Sequence, residues 1–275
     1  MEEQSRRSLL PVQPYLVLQA KDYTRLVVNK GGISHFYEFT MRAGSPHPLQ
    51  AVPDGSVDLV FGKGSRDVRT YIGGTVLMVK YWPLEEGRTY FGVRFQPGGC
   101  ILPKGLSIHE IINDDLELDG DLYGRNLAEQ IADGCSLQER AAIFWKYYSR
   151  CLLRQNAENS ARRIELYVRN RIYQQRGNVT IGDLAGETGY SECYIRRVFE
   201  QVHGISPKMF ERIVRFQNVL NQMRRLPGTY GIRDLAIACG YFDQPHMMKE
   251  FKRFTGLTPE TYRQLMAGKI KWMGD

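Results

Sequence analysis

Cysteine is scarce in this sequence, and no two cysteines lie close together. The five residues stand at positions 100, 135, 151, 193 and 239, and they form no CxxC pair. An odd number at wide spacing argues against a disulfide framework and against the common cysteine-based zinc sites. We therefore expect a reduced protein of the cytoplasm.

Long apolar runs are also missing. The sequence contains no stretch of about 18 uninterrupted apolar residues, which is the shortest length typical of a membrane-spanning helix. The N-terminal stretch MEEQSRRSLLPVQPY lacks the apolar core of a signal peptide. We therefore expect neither a membrane span nor a secretory signal.

Motifs of common catalytic sites are absent as well. The stretch GKGS at 62–65 lacks the first glycine of the GxxxxGK pattern of a phosphate-binding loop, and no GxSxG elbow occurs. His35, His47 and His109 do not have the short spacing on facing strands that a metal-binding barrel needs. We expect no metal site, no cofactor and no enzymatic activity.

The net charge of +7 is unevenly distributed along the chain. Residues 160–275 contain 19 Lys and Arg against 11 Asp and Glu, whereas residues 1–159 contain the remaining 18 against 19. A basic region beside a nearly neutral one suggests a polyanion that contacts one domain only, and nucleic acid is the usual polyanion. Charge alone is equally compatible with a solvated basic surface.

The region from Tyr15 to Gln96 has the pattern of an antiparallel β domain. Short apolar runs rich in Val, Phe and Tyr alternate there with Gly, Pro and Asp, which mark turns. The predicted strands lie within RLVVNKGG, HFYEFTM, VDLVFGKGS, TVLMVKYW and YFGVRFQPGG. This pattern predicts a β-rich sandwich or barrel.

Four residues of this region leave two interpretations open. They are Trp82, Tyr90, Phe91 and Arg94. They either line an effector pocket or form part of the barrel core with the arginine on its surface. The sequence does not identify an effector or the residues that would bind it.

A helix is predicted over residues 136–154, where apolar residues recur at helical spacing and Ser136 is a suitable N-cap. Its apolar stripe consists of Leu137, Phe144, Tyr148 and Leu152. Such a stripe either closes the β domain or forms the isologous contact of a homodimer. The polar segment QNAENSA at 155–161 then marks a domain boundary.

The remaining sequence has the pattern of an all-helical domain. Its first helix begins near Ser160 and ends near residues 176–178. The apolar face of this helix consists of Ile164, Val168 and Ile172. Thr180 begins the next segment, and a long helix is predicted for Pro207–Arg225 with proline in its first turn.

An internal duplication occupies this helical region. The first copy spans residues 180–210 and the second spans 231–262. The DLA and GY motifs of the two copies match at an offset of 51 residues, as from 189 to 240. After one extra residue in the second copy, the Phe, Gly and Pro positions match at an offset of 52, as from 199 to 251.

Each copy has the layout of a helix-turn-helix unit, whose second helix enters the major groove of DNA. Gly189 permits the positive φ of the turn, and Ser191 or Asp243 caps the helix that follows. In the first copy the apolar side of this helix consists of Ile195, Val198, Phe199 and Val202. Its opposite side consists of Glu192, Cys193, Arg196, Arg197 and Glu200. The two adjacent arginines thus occupy the predicted groove-reading face, where arginine pairs with guanine or phosphate.

The two DLA…GY turns, the F-x-x-x-x-G-[IL]-[ST]-P segments after them and the long helix between them resemble the AraC/XylS family of bacterial transcription regulators. The resemblance covers residues 160–265. It implies two helix-turn-helix units, joined by a linker helix, that read adjacent turns of double-stranded DNA. The base-contacting positions of the family fall on Cys193, Arg196, Arg197, Gln244, Pro245, Met248 and Lys249.

The second set of these positions departs from the first in its chemistry. Pro245 and Met248 donate no side-chain hydrogen bond, although Gln244 can pair with adenine and Met248 can touch a thymine methyl group. We therefore expect the first unit to supply most base specificity and the second to act more through phosphates. Glu250 matches the buried Val198, which suggests that the second recognition helix is set differently.

Upstream, AVPDGSVDLVFG and YFGVRFQPGGCILPKGLSIHEIINDDLELDG resemble the β-rich sensor domain that precedes some AraC-type domains. The implied fold class is α+β with two domains, of which the N-terminal one is a cupin-like barrel or sandwich with flanking helices. The expected boundaries are 1–155 for the sensor domain, 156–161 for a linker and 162–275 for the all-α DNA-binding domain. Within the latter we expect the helix-turn-helix units at 180–202 and 231–254 and the linker helix at 207–225.

The resemblance implies a cytoplasmic bacterial transcription activator without a cofactor. Its implied partners are double-stranded DNA, RNA polymerase and a small-molecule or protein effector, and a homodimer is left open. The residues leave a second function open, namely a ligand-binding or enzymatic β-barrel with an appended nucleic-acid-binding domain. Catalytic residues within 1–155 would favour this second function, and the sequence shows none.

Overall fold

The computed structural model describes residues 13–14, 20–41, 49–82, 84–118, 123, 126–154, 160–225 and 231–267. The internal contacts divide the chain into two compact units. One contains Pro14–Ala51 and Gly55–Ala157 and is called the β domain below. The other contains Gln13, Val52–Asp54 and Glu158–Asp275, and the last of these ranges is called the helical domain. Within the described ranges, no helix has the length and apolar content needed to cross a membrane.

The β domain is built on two antiparallel sheets. Its strands are β1 (Ala20–Lys30), β2 (Ile33–Met41), β3 (Leu49–Ala51), β4 (Val57–Lys63), β5 (Val68–Gly73), β6 (Lys80–Trp82), β7 (Thr89–Phe95) and β8 (Asp115–Leu118). Six of them form one sheet in the order β1-β2-β7-β4-β5-β8, and β3 pairs with β6. In the described part of the chain β1 and β8 are the sheet edges, so this sheet does not close into a barrel by hydrogen bonding.

The strand predictions are confirmed where the apolar run is long. The runs in β1, β2, β4 and β7 form strands as expected. The prediction for TVLMVKYW is wrong over most of its length, because only Lys80–Trp82 forms a strand. Three strands were missed, and two of them, β3 and β8, have only three and four residues. Segments this short carry too little periodicity to be recognised.

The six-stranded sheet buries both of its faces. Because side chains alternate along a strand, Phe36 and Tyr37 point to opposite faces, as do Phe91 and Tyr90. The first face packs against the helices α1 (Leu127–Asp133) and α2 (Leu137–Arg154). The second face packs against residues of β3 and β6.

The aromatic stripe of α2 belongs to the first of these cores. Phe144 and Tyr148 have 0% of their surface exposed, and their ring centroids lie 5.4 Å apart. Phe144 also contacts Phe36 edge-on at 5.9 Å between centroids. Of the two interpretations of this stripe, the structure therefore supports closure of the β domain, because these two rings are not accessible to a second chain.

The second core contains a buried ion pair. Arg94 on β7 donates from Nη2 to Asp58 Oδ2 on β4 at 2.6 Å, and the Tyr37 hydroxyl donates to Asp58 Oδ1 at 3.1 Å. The expectation of a surface arginine is wrong, since the Arg94 side chain is buried. Trp82 and Tyr90 lie in this core, whereas Phe91 lies in the other one, so these residues do not line one pocket.

The helical domain consists of seven described helices. They are α3 (Ser160–Gln174), α4 (Ile181–Thr188), α5 (Glu192–His203), α6 (Pro207–Arg225), α7 (Ile232–Ala238), α8 (Gln244–Thr255) and α9 (Pro259–Met266). Of the expected linker 156–161, residues 156–159 lie outside the described residues, and residues 160–161 form the start of α3 instead. The fold class, a β-rich domain followed by an all-helical one, is confirmed.

Local signals explain the helix boundaries. Thr180 and Asp183 form a capping box at the start of α4, in which each side chain accepts from the backbone of the other. Gly189 ends α4 in the left-handed conformation, with φ +73°. The linker helix α6 runs over the predicted residues Pro207–Arg225.

Candidate nucleic-acid interface

The first recognition helix is α5, and Ser191 caps it by accepting a hydrogen bond from the Tyr194 backbone N–H at 3.3 Å. Its apolar side, with Ile195, Val198 and Phe199, is buried. The three residues predicted to contact DNA, Cys193, Arg196 and Arg197, are all exposed. The structure thus brings them together on the solvent-facing side of one helix, near its N-terminal end.

Both arginines of this helix are held by neighbouring side chains. Arg196 Nη2 donates to Glu192 Oε2 at 2.6 Å, one helical turn away. The Arg197 guanidinium lies 5.2 Å from the centre of the Tyr194 ring, which in turn stacks on Tyr190 at 5.2 Å between centroids. Such contacts leave several guanidinium donors for a further acceptor, because arginine carries five N–H groups.

A buried carboxylate fixes α5 to α3. Glu165 Oε1 lies 2.9 Å from His203 Nε2 on α5 and accepts from Arg169 Nε at 2.8 Å. Burial lowers the pKa of His203, against the opposing effect of Glu165, so the imidazole is neutral near pH 7. Burial acts to raise the pKa of Glu165, but the His203 hydrogen bond and the Arg169 and Arg162 charges outweigh it and lower the pKa.

The second recognition helix is α8, which Asp243 caps by accepting from the His246 backbone N–H at 2.7 Å. Pro245, Met248 and Lys249 are exposed, and Gln244 is half-buried. Gln244 Nε2 donates to Met248 Sδ at 3.5 Å, so these two side chains lie side by side. All four predicted DNA-contacting residues of this copy therefore share one accessible surface.

Glu250 gives the second recognition helix its own anchor. The carboxylate is buried where the first copy has Val198, and it accepts from the Tyr241 hydroxyl at 2.8 Å and from Arg212 Nε at 2.6 Å. Arg212 lies on the linker helix α6, so this bond ties α8 to the linker. Burial raises the pKa of Tyr241 well above its usual value, and the Glu250 charge adds to the effect.

Three further contacts involve the turn after α3, the linker helix and the second copy. Arg215 donates from Nη2 to the Gly177 carbonyl at 2.9 Å and places its guanidinium 5.4 Å from the Tyr241 ring centre. Asn178 Nδ2 donates to the Cys239 carbonyl at 3.4 Å. The sequence did not single out Arg212 or Arg215, because an arginine on a long helix is usually solvated and nothing local distinguishes these two.

The extra residue of the second copy is Phe242. The first turn runs Gly189, Tyr190 and then the N-cap Ser191, whereas the second runs Gly240, Tyr241, Phe242 and then the N-cap Asp243. The Phe242 side chain is 93% exposed. An aromatic ring is thus displayed immediately before the recognition helix. The change of offset in the sequence repeat implies an inserted residue here but does not indicate which one it is.

Comparison with known families bears directly on this region. A family model described as a helix-turn-helix domain matches residues 184–265, and a second model, described as a domain of unknown function (DUF6597), matches residues 30–117. Residues 184–265 form an AraC-type helix-turn-helix domain. The AraC-type domain thus contains the linker helix and both recognition helices.

A curated relative matches about a third of the chain. The uncharacterized HTH-type transcriptional regulator YisR of Bacillus subtilis is 27% identical over 92 residues, which are 34% of this chain and 31% of the relative. The match therefore spans about a third of that relative's length. It relates these 92 residues to a protein described as an HTH-type transcriptional regulator.

Solved structures give further likenesses. A probable AraC family transcriptional regulator from Rhodopseudomonas palustris is 25% identical, with 39% of this chain and 96% of that chain covered and a TM-score of 0.33. The C-terminal domain of AraT, a response regulator from Geobacillus stearothermophilus, is 23% identical over 40% and 88%, with a TM-score of 0.33. ToxT from Vibrio cholerae is 10% identical over 88% and 98%, with a TM-score of 0.42.

Metal binding finds no support in the described residues. Within these ranges, no group of three or more His, Cys, Asp and Glu side chains is arranged to hold an ion. His35 bonds to the neighbouring Ser34, whereas His47 lies outside the described ranges. Burial raises the pKa of the Cys100 thiol to about 12, so that this thiol stays protonated near pH 7.

Proposed function

We propose that this protein is a sequence-specific DNA-binding regulator of transcription. The observation that carries the proposal is the pair of capped recognition helices, each of which exposes residues of its N-terminal half while its opposite face is buried. In a helix-turn-helix unit these N-terminal residues meet the base edges of the major groove. The AraC-type domain, and the similarity of part of the chain to a protein described as a transcriptional regulator, favour this function over an enzymatic one.

We also propose that the two copies read adjacent segments of one DNA face. The linker helix has 19 residues, which at 1.5 Å per residue correspond to about 28 Å. This length is comparable to the roughly 34 Å between successive major-groove faces. Arg212 contacts Glu250, and Arg215 contacts both Tyr241 and the Gly177 carbonyl in the turn before the first copy, which supports a fixed spacing between the recognition helices.

The residues that we assign to the interface are those predicted from the sequence. They are Cys193, Arg196, Arg197, Gln244, Pro245, Met248 and Lys249. The exposed arginines support a larger share of base specificity for the first copy, since arginine pairs bidentately with guanine. Lys249 supports phosphate contacts in the second copy.

The wider regulatory role rests on the family resemblance. By this resemblance we propose an activator that contacts RNA polymerase and responds to an effector through the β domain. A homodimer would use a surface other than the ring faces of Phe144 and Tyr148, because these rings are buried in the β domain.

Selection of binding sites from a random duplex library, using the full chain, tests the function. We expect one enriched motif and an affinity at least about 1,000-fold above that for a scrambled duplex at physiological salt. The affinity should fall steeply with salt concentration, because neutralised phosphates release counterions. Equal affinity for the selected and scrambled duplexes would refute the proposal.

A further inference from the structure

The two recognition surfaces differ position by position in their chemistry. At an offset of 52 residues, the ion pair of Glu192 with Arg196 in the first copy corresponds to Gln244 with Met248 in the second. Pro245 likewise replaces Cys193. The paired positions thus remain in contact across one helical turn, but neither residue of the second pair carries a charge.

The inserted Phe242 adds apolar surface at the same end of the second recognition helix. Its ring, 93% exposed, directly precedes the N-cap Asp243, and Pro245 and Met248 follow within the first turns of α8. A phenyl ring in water forgoes the favourable free energy of burial. In a helix-turn-helix unit this end of the helix lies against the base edges.

An A·T base pair offers the groups that this surface can recognise. In the major groove, thymine presents its C5-methyl group, and adenine presents the N6 donor and the N7 acceptor that a carboxamide can pair with. Gln244 supplies a carboxamide beside Met248, and the apolar side chains supply a surface for the methyl group. A G·C pair presents no methyl group and would leave the apolar side chains against polar edges.

We propose that the second recognition helix reads A·T pairs through thymine methyl groups, which contact an apolar surface formed by Phe242, Pro245 and Met248. This inference rests on the proposed DNA-binding function and adds Phe242 to its interface. It also gives the second copy a share of the base specificity that Lys249 alone would not provide. The first copy, with Arg196 and Arg197, reads by hydrogen bonds to guanine.

Replacement of thymine by deoxyuridine tests the inference, because uracil lacks only the methyl group and keeps the same pairing edge. The full chain is titrated against its selected duplex with each thymine replaced in turn. We expect about threefold to fivefold weaker binding for each methyl group contacted by the second helix. Replacement of guanines by 7-deazaguanine, which lacks N7, should weaken binding at different positions, those under the first helix.

Variants of the apolar surface show which residues cause the deoxyuridine effect. Phe242→Ala and Met248→Ala should weaken binding to the thymine duplex and make it insensitive to deoxyuridine at the contacted positions. Ile237→Ala is the matched control, because Ile237 is a 62% exposed apolar residue of the same copy on the helix that precedes the turn. This variant should retain the full deoxyuridine effect.

The outcomes separate the inference from the function on which it rests. If the selected duplex is preferred but no deoxyuridine weakens binding, the inference is wrong and the DNA-binding function stands. If a deoxyuridine effect persists unchanged in Phe242→Ala and Met248→Ala, the assignment to this surface is wrong, and the apolar surface serves another partner. If no duplex is preferred over a scrambled one, the function itself fails.

Discussion

The two helix-turn-helix copies share a backbone plan but differ in what holds their recognition helices. In the first copy, Glu165 on α3 binds His203 near the end of α5. In the second, Glu250 within α8 binds Tyr241 of the turn and Arg212 of the linker helix. Each recognition helix is thus held by a buried carboxylate, but this carboxylate stands on a different element and faces a different partner in the two cases. Two copies of a duplicated fold can thus keep the same turns while different buried polar residues hold their recognition helices.

The difference extends to the tyrosine after the turn glycine. Tyr190 is exposed and stacks on Tyr194, whereas Tyr241 is buried against Glu250. With Phe242 inserted after it, Tyr241 lies two residues before the N-cap of its recognition helix, while Tyr190 lies one residue before. The insertion therefore accompanies a buried tyrosine and an exposed phenylalanine, and it connects the anchor of the second copy to the surface that we propose to face DNA.

The largest expected effect comes from breaking the anchor of the first copy. Glu165→Ala removes the partner of buried His203 and Arg169, and removal of one member of a buried ion pair costs about 3–5 kcal/mol. We expect the free energy of unfolding of the helical domain to fall by this amount. Urea titration monitored by far-ultraviolet circular dichroism measures it. Glu187→Ala, which breaks the exposed contact with Arg171, is the control and should have a much smaller effect. Equal destabilisation by the two variants would contradict the role of Glu165.

The anchor of the second copy should be less costly to remove. Glu250→Val gives α8 the residue that the first copy has at Val198, and it leaves the buried Tyr241 hydroxyl without an acceptor. An unsatisfied buried hydroxyl costs about 1–3 kcal/mol. Adding Tyr241→Phe removes this hydroxyl, so we expect the double variant to recover part of the stability that Glu250→Val removes. A double variant whose unfolding free energy falls by the sum of the two single effects would show that the hydroxyl is not the cause.

The two recognition surfaces should also respond differently in DNA binding. Arg196→Ala or Arg197→Ala should cost about 1–3 kcal/mol for each hydrogen-bonded base pairing that the variant removes, and it should relax the preference at one position. Lys249→Ala should weaken all duplexes more evenly and reduce the salt dependence, because its ammonium group is assigned to a phosphate. Site selection with each variant measures both effects. A sharp change of base preference caused by Lys249→Ala would reverse the proposed division of roles.

The helical domain was predictable from sequence because its signals are local. Capping residues such as Thr180 and Ser191, the glycine at 189 and the apolar spacing of α5 lie within a few residues of what they determine. The same spacing predicted which side chains of α5 are exposed. The repeat then supplied a second example of the same pattern.

The buried polar contacts were not predictable, because their partners lie far apart in the chain. Glu165 and His203 are separated by 38 residues, and Asp58 and Arg94 by 36. A single sequence gives no sign that such residues meet. The mismatch of Glu250 with Val198 indicated that something differs in the second copy, but the contacts with Tyr241 and Arg212 had to be observed.

The smallest expected effect concerns pH and distinguishes the copies once more. Burial lowers the pKa of His203 in the folded chain below the usual 6.5 of the unfolded chain. At a pH between the lowered pKa and 6.5, the unfolded chain therefore binds more protons than the folded one. Stability of the first copy should therefore fall as the pH drops below about 6.5, by at most about 1.4 kcal/mol for each pH unit. Glu165 acts at lower pH, because its lowered pKa keeps it charged until the pH falls below the usual value of 4.5.

Hydrogen exchange of α5 and α8 measured between pH 7.5 and 5.5 resolves this difference, after correction for the intrinsic exchange rate. Glu165, Arg169 and Arg162 are the charged groups that act on His203, and none of them titrates in that range by its usual pKa. As the pH falls, we expect the amides of α5 to lose protection from exchange and those of α8 to lose less, because α8 has Thr255 where α5 has His203. His203→Gln keeps a hydrogen-bond donor for Glu165 without a titrating ring. In this variant the exchange protection of α5 should therefore not depend on pH. If the protection of α5 still depends on pH in His203→Gln, a group other than His203 binds the proton.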